Sequence, residues 1–303
     1  MKDVQARWVL AQQEPGLQWW SEEVDKEGRR IVATFMDAIK GVNKDVIDVA
    51  EAFTDGRQII ILVGETHSDA SPEEARVLTK ALSDIRNKST VYVEQPEHPH
   101  SKCFDGNSPV GLICRLGRVH KVHKIDLRVD ALYDIKWVLK EELELERGSR
   151  DRLHYLLKSY CDMLTLYSSN VETRVHLNVT KTTAADPRFV KKYQLLKDEL
   201  KSFLQGIHFG IHSMHKQIQA IDRLIHTGGS GSRIRDELRG LLNRWDKFVF
   251  PLTCGLDIHF LSDVFRRNRQ ISILFTGSAH VRRMHDVLLS QQEYRWEKLD
   301  FGY

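Results

Sequence analysis

No run of apolar residues in this 303-residue chain approaches the roughly 20 that a membrane-spanning helix needs, so no membrane span is expected. The opening stretch MKDVQARWVLAQQEP lacks seven consecutive apolar residues, and with them the core of a signal peptide. Cysteine is scarce: Cys103, Cys114, Cys161 and Cys254 are scattered, with no C-x-x-C pair. In a chain without a leader this pattern reads as reduced thiols and a cytoplasmic protein, or one in a host cytosol if the source is a virus or pathogen. The sequon Asn178-Val179-Thr180 is then idle. Neither sign of charge dominates, since 45 Lys and Arg stand against 42 Asp and Glu, a net charge of +3. The chain as a whole therefore gives no electrostatic reason to expect nucleic acid as a partner. Internal repeats are also lacking, which excludes a solenoid.

The remaining composition, 41% hydrophobic and 29% charged, is that of an ordinary globular protein. The length suits one α/β domain spanning residues 1–303. Helix-like segments, IVATFMDAI and then DVIDVAEAF, lie between residues 29 and 53. Gln58 to Val63 is then a short β-branched run, the pattern of a strand buried on both faces of a parallel sheet. Ser71-Pro72-Glu73-Glu74 reads as a helix start, with Ser as N-cap, Pro at N1 and a capping-box Glu. That helix should run to about Arg86, and Thr90 to Glu94 completes a β-loop-α-β unit. Residues 95–110, with three prolines and a glycine, read as loop, and Val122 to Arg128 as a weaker strand. Residues 130–146 and about 150–168 read as helices, and helical period dominates 186–268. The break Thr227-Gly228-Gly229-Ser230-Gly231-Ser232 reads as a flexible linker, natural or engineered. Gln270 to Phe275 is an apolar strand, 280–290 a short helix, and Tyr294 to Phe301 a last strand. The expectation is a parallel-rich central sheet flanked by helices, with a helical insertion over 130–268 that serves as a lid or partner-binding region.

Three strands end suggestively. The first runs into Gly64-Glu65-Thr66-His67, the second into Glu94, and the last into Gly277-Ser278-Ala279-His280 just before a helix. Ligands of open α/β sheets bind outside the carboxyl ends of the strands, so His67, Glu94 and His280 can converge. Spacing alone is weak evidence, because this composition yields roughly one G-x-x-H by chance and the sequence holds three, including Gly117 to His120. Context separates the first and last, each of which directly follows a buried-strand pattern.

Strand-GETH, strand-Glu and strand-GSAH together resemble the erythromycin-esterase, ChaN and TIKI/TraB superfamily. A related module is found in Pasteurella-type toxins and in large DNA virus proteins. The resemblance touches about 100 residues at the two ends of the sheet; Asp126-Leu127-Arg128 resembles a polar element of some members, and Asp257 a helix-borne acid. It implies that His67 and His280 are metal ligands or general bases and that Glu94 completes the set. Two imidazoles and a carboxylate suit a catalytic zinc, manganese or cobalt ion with an open position for water. The metal-free form has His67, oriented by Glu65 or Glu94, take a proton from water while Arg128 and His280 stabilise the oxyanion. Either form is a hydrolase of an ester or amide, whose substrate is a small molecule or a peptide. The rival reading is a catalytically silent fold, a virion, effector or toxin-like module that binds a protein partner through its helical insertion. A weaker third reading is ligand handling, such as iron or haem.

Other clusters carry less. His98, His100 and Cys103 lack a fourth ligand for zinc. His208, His212 and His215 fall on one helix face without the glutamate of an H-E-x-x-H motif, and read as a solvated face. Arg282 and Arg283 either meet an anionic substrate or decorate the helix. Trp19-Trp20 is assigned to packing or a partner contact, and Cys254 to the core.

Overall fold

The computed structural model describes residues 22–56, 58–85, 89–96, 106–118, 122–128, 150–180, 187–228, 230–267, 271–289 and 296–301. Their helices are α1 (Glu22–Lys40), α2 (Pro72–Ile85), α3 (Pro109–Arg115), α4 (Arg150–Thr180), α5 (Pro187–His226), α6 (Gly231–Arg267) and α7 (Ser278–Leu289). A single 3-10 turn, Leu116–Arg118, follows α3. The strands are β1 (Ile47–Thr54), β2 (Ile59–Glu65), β3 (Ser89–Pro96), β4 (Val122–Asp126), β5 (Ile271–Gly277) and β6 (Glu297–Leu299). They form one sheet in the order β4-β3-β5-β2-β1-β6. The first four in that order run parallel, while β1 and β6 close the edge in antiparallel fashion. This is the α/β fold with a mostly parallel sheet that the sequence predicts.

Both faces of the sheet are covered, which explains why β2 and β5 are apolar without alternation. On one face Ile59, Ile61 and Val63 meet α1, α2 and α3. On the other Ile60 and Leu62 meet α4, α5, α6 and α7. Helix α1 presents Val32, Phe35, Met36 and Ile39, the i, i+3, i+4, i+7 stripe of a helix buried on one side. The capping box forms at α2: Ser71 N–H donates to Glu74 Oε2 at 2.7 Å and Glu74 N–H to Ser71 Oγ at 3.3 Å.

In the segment Asp45 to Phe53, expected as helix, the residues from Ile47 on are instead the strand β1. A bulge explains the misreading, because the register with β2 slips between Ile47 and Val49. Across the slip, Ile47, Ala50 and Ala52 face one layer while Val49 and Phe53 face the other. One extra residue thus turns a spacing of two into a spacing of three and counterfeits a helical period. Of the GGSGS stretch, Gly228 is a turn residue at φ 70° after the 40-residue α5, and Gly231 and Ser232 open the 37-residue α6.

The region between β4 and β5 is more than a cover. Leu256 to Phe265 in α6 is buried all round, and its polar groups are paired: His259 Nδ1 lies 2.9 Å from the Ile125 carbonyl, and Asp263 Oδ2 accepts from Tyr92 Oη at 3.1 Å. Residues 129–149, and so the helix expected at 130–146, lie outside the described residues. The expectation of four reduced thiols is corrected at one position. Cys161 and Cys254 are free, whereas Cys114 is disulfide-bonded. Scatter along a sequence says nothing of separation in space, and the thiol pattern therefore no longer argues for a reducing compartment. No helix among the described residues is long and apolar enough to cross a membrane.

Gly64 is where β2, the β1 bulge and α7 meet most closely. A Cβ there would lie 2.6 Å from Val49 Cγ1 and 2.9 Å from Ser278 Cα. Backbone cannot yield as a flexible side chain can, so Gly64→Ala should cost about 1–3 kcal/mol in a urea unfolding curve. An unchanged midpoint would show that α7 is not seated this tightly.

Candidate functional site

Strand β5, from the far end of the chain, inserts between β2 and β3. Its register sets Gly277 opposite Glu65 and Phe275 opposite Val93. The carboxyl ends of the three motif-bearing strands therefore share one edge, with the last motif in the middle, the position where α/β sheets bind ligands. Ser278 Oγ fastens the two motifs together by donating to the Glu65 carbonyl at 3.2 Å.

His67 and Glu65 form the outer part. His67 has φ 61°, the left-handed region that non-glycine residues enter at a cost and that clusters at functional sites. This turn brings the ring back over its own strand, where Nδ1 lies 2.8 Å from Glu65 Oε1. Glu65 is buried, and its other oxygen accepts from Val110 N–H in the first turn of α3 at 2.7 Å. A carboxylate on Nδ1 fixes the neutral ring as the Nδ1–H tautomer and leaves Nε2 as an acceptor. The His67 side chain is 68% exposed, so solvent reaches the ring, and Nε2 lies over Gly277. The hydrogen bond to Glu65 raises the imidazole pKa above its ordinary value against partial burial, and the charges of Glu65 and Glu94 add to the rise.

Glu94, Arg128 and His280 form the inner part. Glu94 Oε1 accepts from Arg128 at 2.9 Å and lies 3.2 Å from His280 Nε2. Its Oε2 accepts from Thr276 Oγ1 at 2.7 Å and from Gly277 N–H at 2.9 Å. Burial pushes this carboxyl up, but the His280 charge and hydrogen bond, the Arg128 charge and the Gly277 N–H outweigh it and hold it well below the usual range. Arg128 is gripped in turn by Asp126, which accepts from its Nε at 2.9 Å and from its outer nitrogen at 2.8 Å. His280 Nδ1 meets Asp257 Oδ1 at 2.5 Å, and Arg283 Nε donates to Asp257 Oδ2 at 2.8 Å. An outer Arg283 nitrogen also lies 2.8 Å from His280 Nδ1. That nitrogen cannot accept from Arg283 while donating to Asp257, and the carboxylate is the stronger claim. Burial pulls the His280 pKa down, but Asp257 and Glu94 carry it up to about 9. His280 is therefore an imidazolium at neutral pH, donating from both nitrogens.

His67, Glu94, His280, Glu65, Asp126 and Arg128 thus lie at one sheet edge in two hydrogen-bonded groups, with His280 and Arg128 behind Glu94 rather than open to solvent. Arg283 joins through Asp257, whereas Arg282 pairs with Asp48 at the surface. As arranged, the inner donors do not fit a cation. Both His280 nitrogens are committed to carboxylates, Glu94 already holds a guanidinium, and among the described residues no three of His, Cys, Asp and Glu are grouped to share a metal. His98, His100, Cys103, His120 and Trp19-Trp20 lie outside the described residues. His208, His212 and His215 are exposed along α5, and His208 lines a groove of about 490 Å³ between α4 and α5 that shares no residue with the cluster.

Two contributors escape a sequence reading. Thr276 is hidden as the last polar letter of an apolar strand. Tyr167 looks like a core aromatic of α4, yet its fully buried hydroxyl feels the charges of Arg128, Asp126 and Asp257. No protein-family model, curated protein or solved structure matches the chain.

The two shifted inner groups set a pH window for stability. His280, raised in the fold, contributes fully below its ordinary value near 6.5 and loses that contribution as pH rises through about 9. Glu94, lowered in the fold, contributes fully above its ordinary value near 4.5 and loses it as pH falls through its depressed pKa. Stability should therefore be greatest between those two ordinary values and fall by on the order of 3 kcal/mol toward pH 9. Chemical denaturation across pH should show that alkaline slope in the wild type and not in His280→Gln. An equal slope in both would mean that His280 is not the titrating group.

Proposed function

We propose that the chain is a hydrolase of an ester or amide, with His67 as its general base. One observation carries this reading. The His67 ring is held in a left-handed backbone turn with Nδ1 on the buried carboxylate of Glu65, which leaves Nε2 as the accepting nitrogen of an imidazole of raised pKa. The resemblance of the paired motifs to erythromycin esterase and TIKI-like proteins supports it.

In this reaction Nε2 takes a proton from water as the water oxygen bonds to the substrate carbonyl carbon. The carbonyl oxygen gains the negative charge, and the N-terminal turn of α7 is the element placed to favour it. The resulting His67 imidazolium returns its proton to the leaving alkoxide or amine as the carbon–oxygen or carbon–nitrogen bond breaks. Arg128 and His280 act through Glu94, by keeping it ionised and fixed. The pairing of the inner network is what favours the rival reading, a silent fold that binds a partner, because every inner side chain has a protein partner without a substrate.

A panel of esters and amides separates the two. Wild type should turn over at least one member, and His67→Gln should lower kcat by about a hundredfold to ten-thousandfold. Because the base is active only when neutral, kcat/KM should still be rising with pH above 6.5, and Glu65→Gln should move that limb to lower pH. Turnover by wild type no faster than by His67→Gln on every member would leave the silent fold standing.

The metal-dependent form of this hydrolase requires Glu94 to release Arg128 and His280 to shed a proton. The purified protein should therefore carry no stoichiometric zinc, manganese or cobalt by mass spectrometry, and chelators should leave turnover unchanged. Stoichiometric metal that disappears in a His67→Ala/His280→Ala variant would reverse this preference.

A further inference from the structure

The glycines of the two motifs serve different ends. The place of a Gly64 side chain is already filled by neighbouring atoms. At Gly277 the corresponding place borders two polar groups: a Cβ there would lie 3.4 Å from His67 Nε2, 3.7 Å from Glu94 Oε2 and 3.8 Å from His67 Cε1. No positive φ calls for glycine at 277, and ordinary van der Waals distances would admit a methyl group. Neither backbone strain nor crowding accounts for this glycine. The chemistry beside it does, because the missing side chain leaves the base and the fixed carboxylate facing a common gap.

We infer that the space above Gly277 is the seat of the reacting water, which donates one proton to His67 Nε2 and the other to Glu94 Oε2. The inference rests on the hydrolase reading and gives its nucleophile a position. Two acceptors meet the minimum that orders a water, and they leave its lone pairs directed away from both, toward the open edge of the sheet. The acceptors are not equivalent. Thr276 Oγ1 and Gly277 N–H already bond Glu94 Oε2, so the carboxylate stays ionised and orients the water. His67 Nε2, with Glu65 behind its other nitrogen, takes the proton when the oxygen attacks. Glu94 is thus a positioning acceptor, and Gly277 the residue that keeps the seat open.

The test compares full-length wild type with Gly277→Ala. The variant should keep the wild-type melting temperature and KM while losing about a hundredfold or more in kcat. High-resolution crystals of the wild type should show a water bonded to both His67 Nε2 and Glu94 Oε2, absent in the variant. A variant with wild-type kcat, or wild-type crystals without that water, overturns the seat. If the water is present in wild type and lost in the variant but wild type hydrolyses nothing, the seat stands and the hydrolase reading alone fails. The crystallographic arm uses wild type and decides the matter even if the variant does not fold.

Discussion

Six ionic side chains line up behind the sheet edge with alternating sign: Asp126, Arg128, Glu94, His280, Asp257 and Arg283. Each neighbour pair in that order is in contact at 2.5 to 3.2 Å. Ions in a protein interior are tolerable only when paired and hydrogen-bonded. This row is electrically neutral only if His280 carries its proton, which is the physical reason the imidazole titrates near 9. Removing any one member would strand an opposite charge where water cannot compensate it. The row thus behaves as one unit, and its members come from β3, β4 and the residues just after it, α6 and α7. The sheet order is what lets those elements meet. Were β5 not the neighbour of β3, Gly277 N–H and Thr276 Oγ1 could not reach Glu94, and its second oxygen would lack both donors.

The row also divides the work between two histidines that the sequence makes look alike. Both follow a G-x-x-H spacing at a strand end. His280 is enclosed between two carboxylates and locked as a cation, so it can neither accept a proton near neutrality nor offer a lone pair. His67 has one carboxylate on Nδ1 and none hydrogen-bonded to Nε2, which leaves that nitrogen able to accept a proton. A single additional carboxylate separates a structural cation from an imidazole with a free acceptor, and that carboxylate, Asp257, arrives from α6. The long helices between β4 and β5 therefore help define the edge of the sheet, and the buried run from Leu256 to Phe265 is how they grip it.

What was legible in the sequence was whatever one dominant force dictates locally. Burial on both faces makes β2 and β5 unbroken apolar runs, and the capping box of α2 is written in four adjacent residues. The convergence of His67, Glu94 and His280 followed from their strand ends and a topological rule. Less was legible where two forces cross. The β1 bulge shifted alternation into a false helical spacing, and the pairing of Cys114 depends on proximity that spacing does not encode. Thr276 and Tyr167 serve the cluster by position, and nothing in their type sets them apart from other strand-end hydroxyls or core aromatics. The protonation of His280 was invisible for the same reason, since it depends on a count of neighbouring charges in space.

That difference bears on how paired motifs are to be read. The repeated G-x-x-H invites a symmetric interpretation, two equivalent imidazoles around a shared centre, as a metal would require. The structure breaks the symmetry at each repeated position. The first glycine is excluded from bearing a side chain by Val49 and the α7 backbone, the second only by the gap it borders. The first histidine is exposed and turned through a left-handed backbone, the second is buried in a helix. Equal letters in unequal surroundings do unequal chemistry. A neutral ring outside, a cation inside and one ionised carboxylate between them form a gradient of charge across the sheet edge. Such a gradient suits the activation of water better than the closed coordination of an ion.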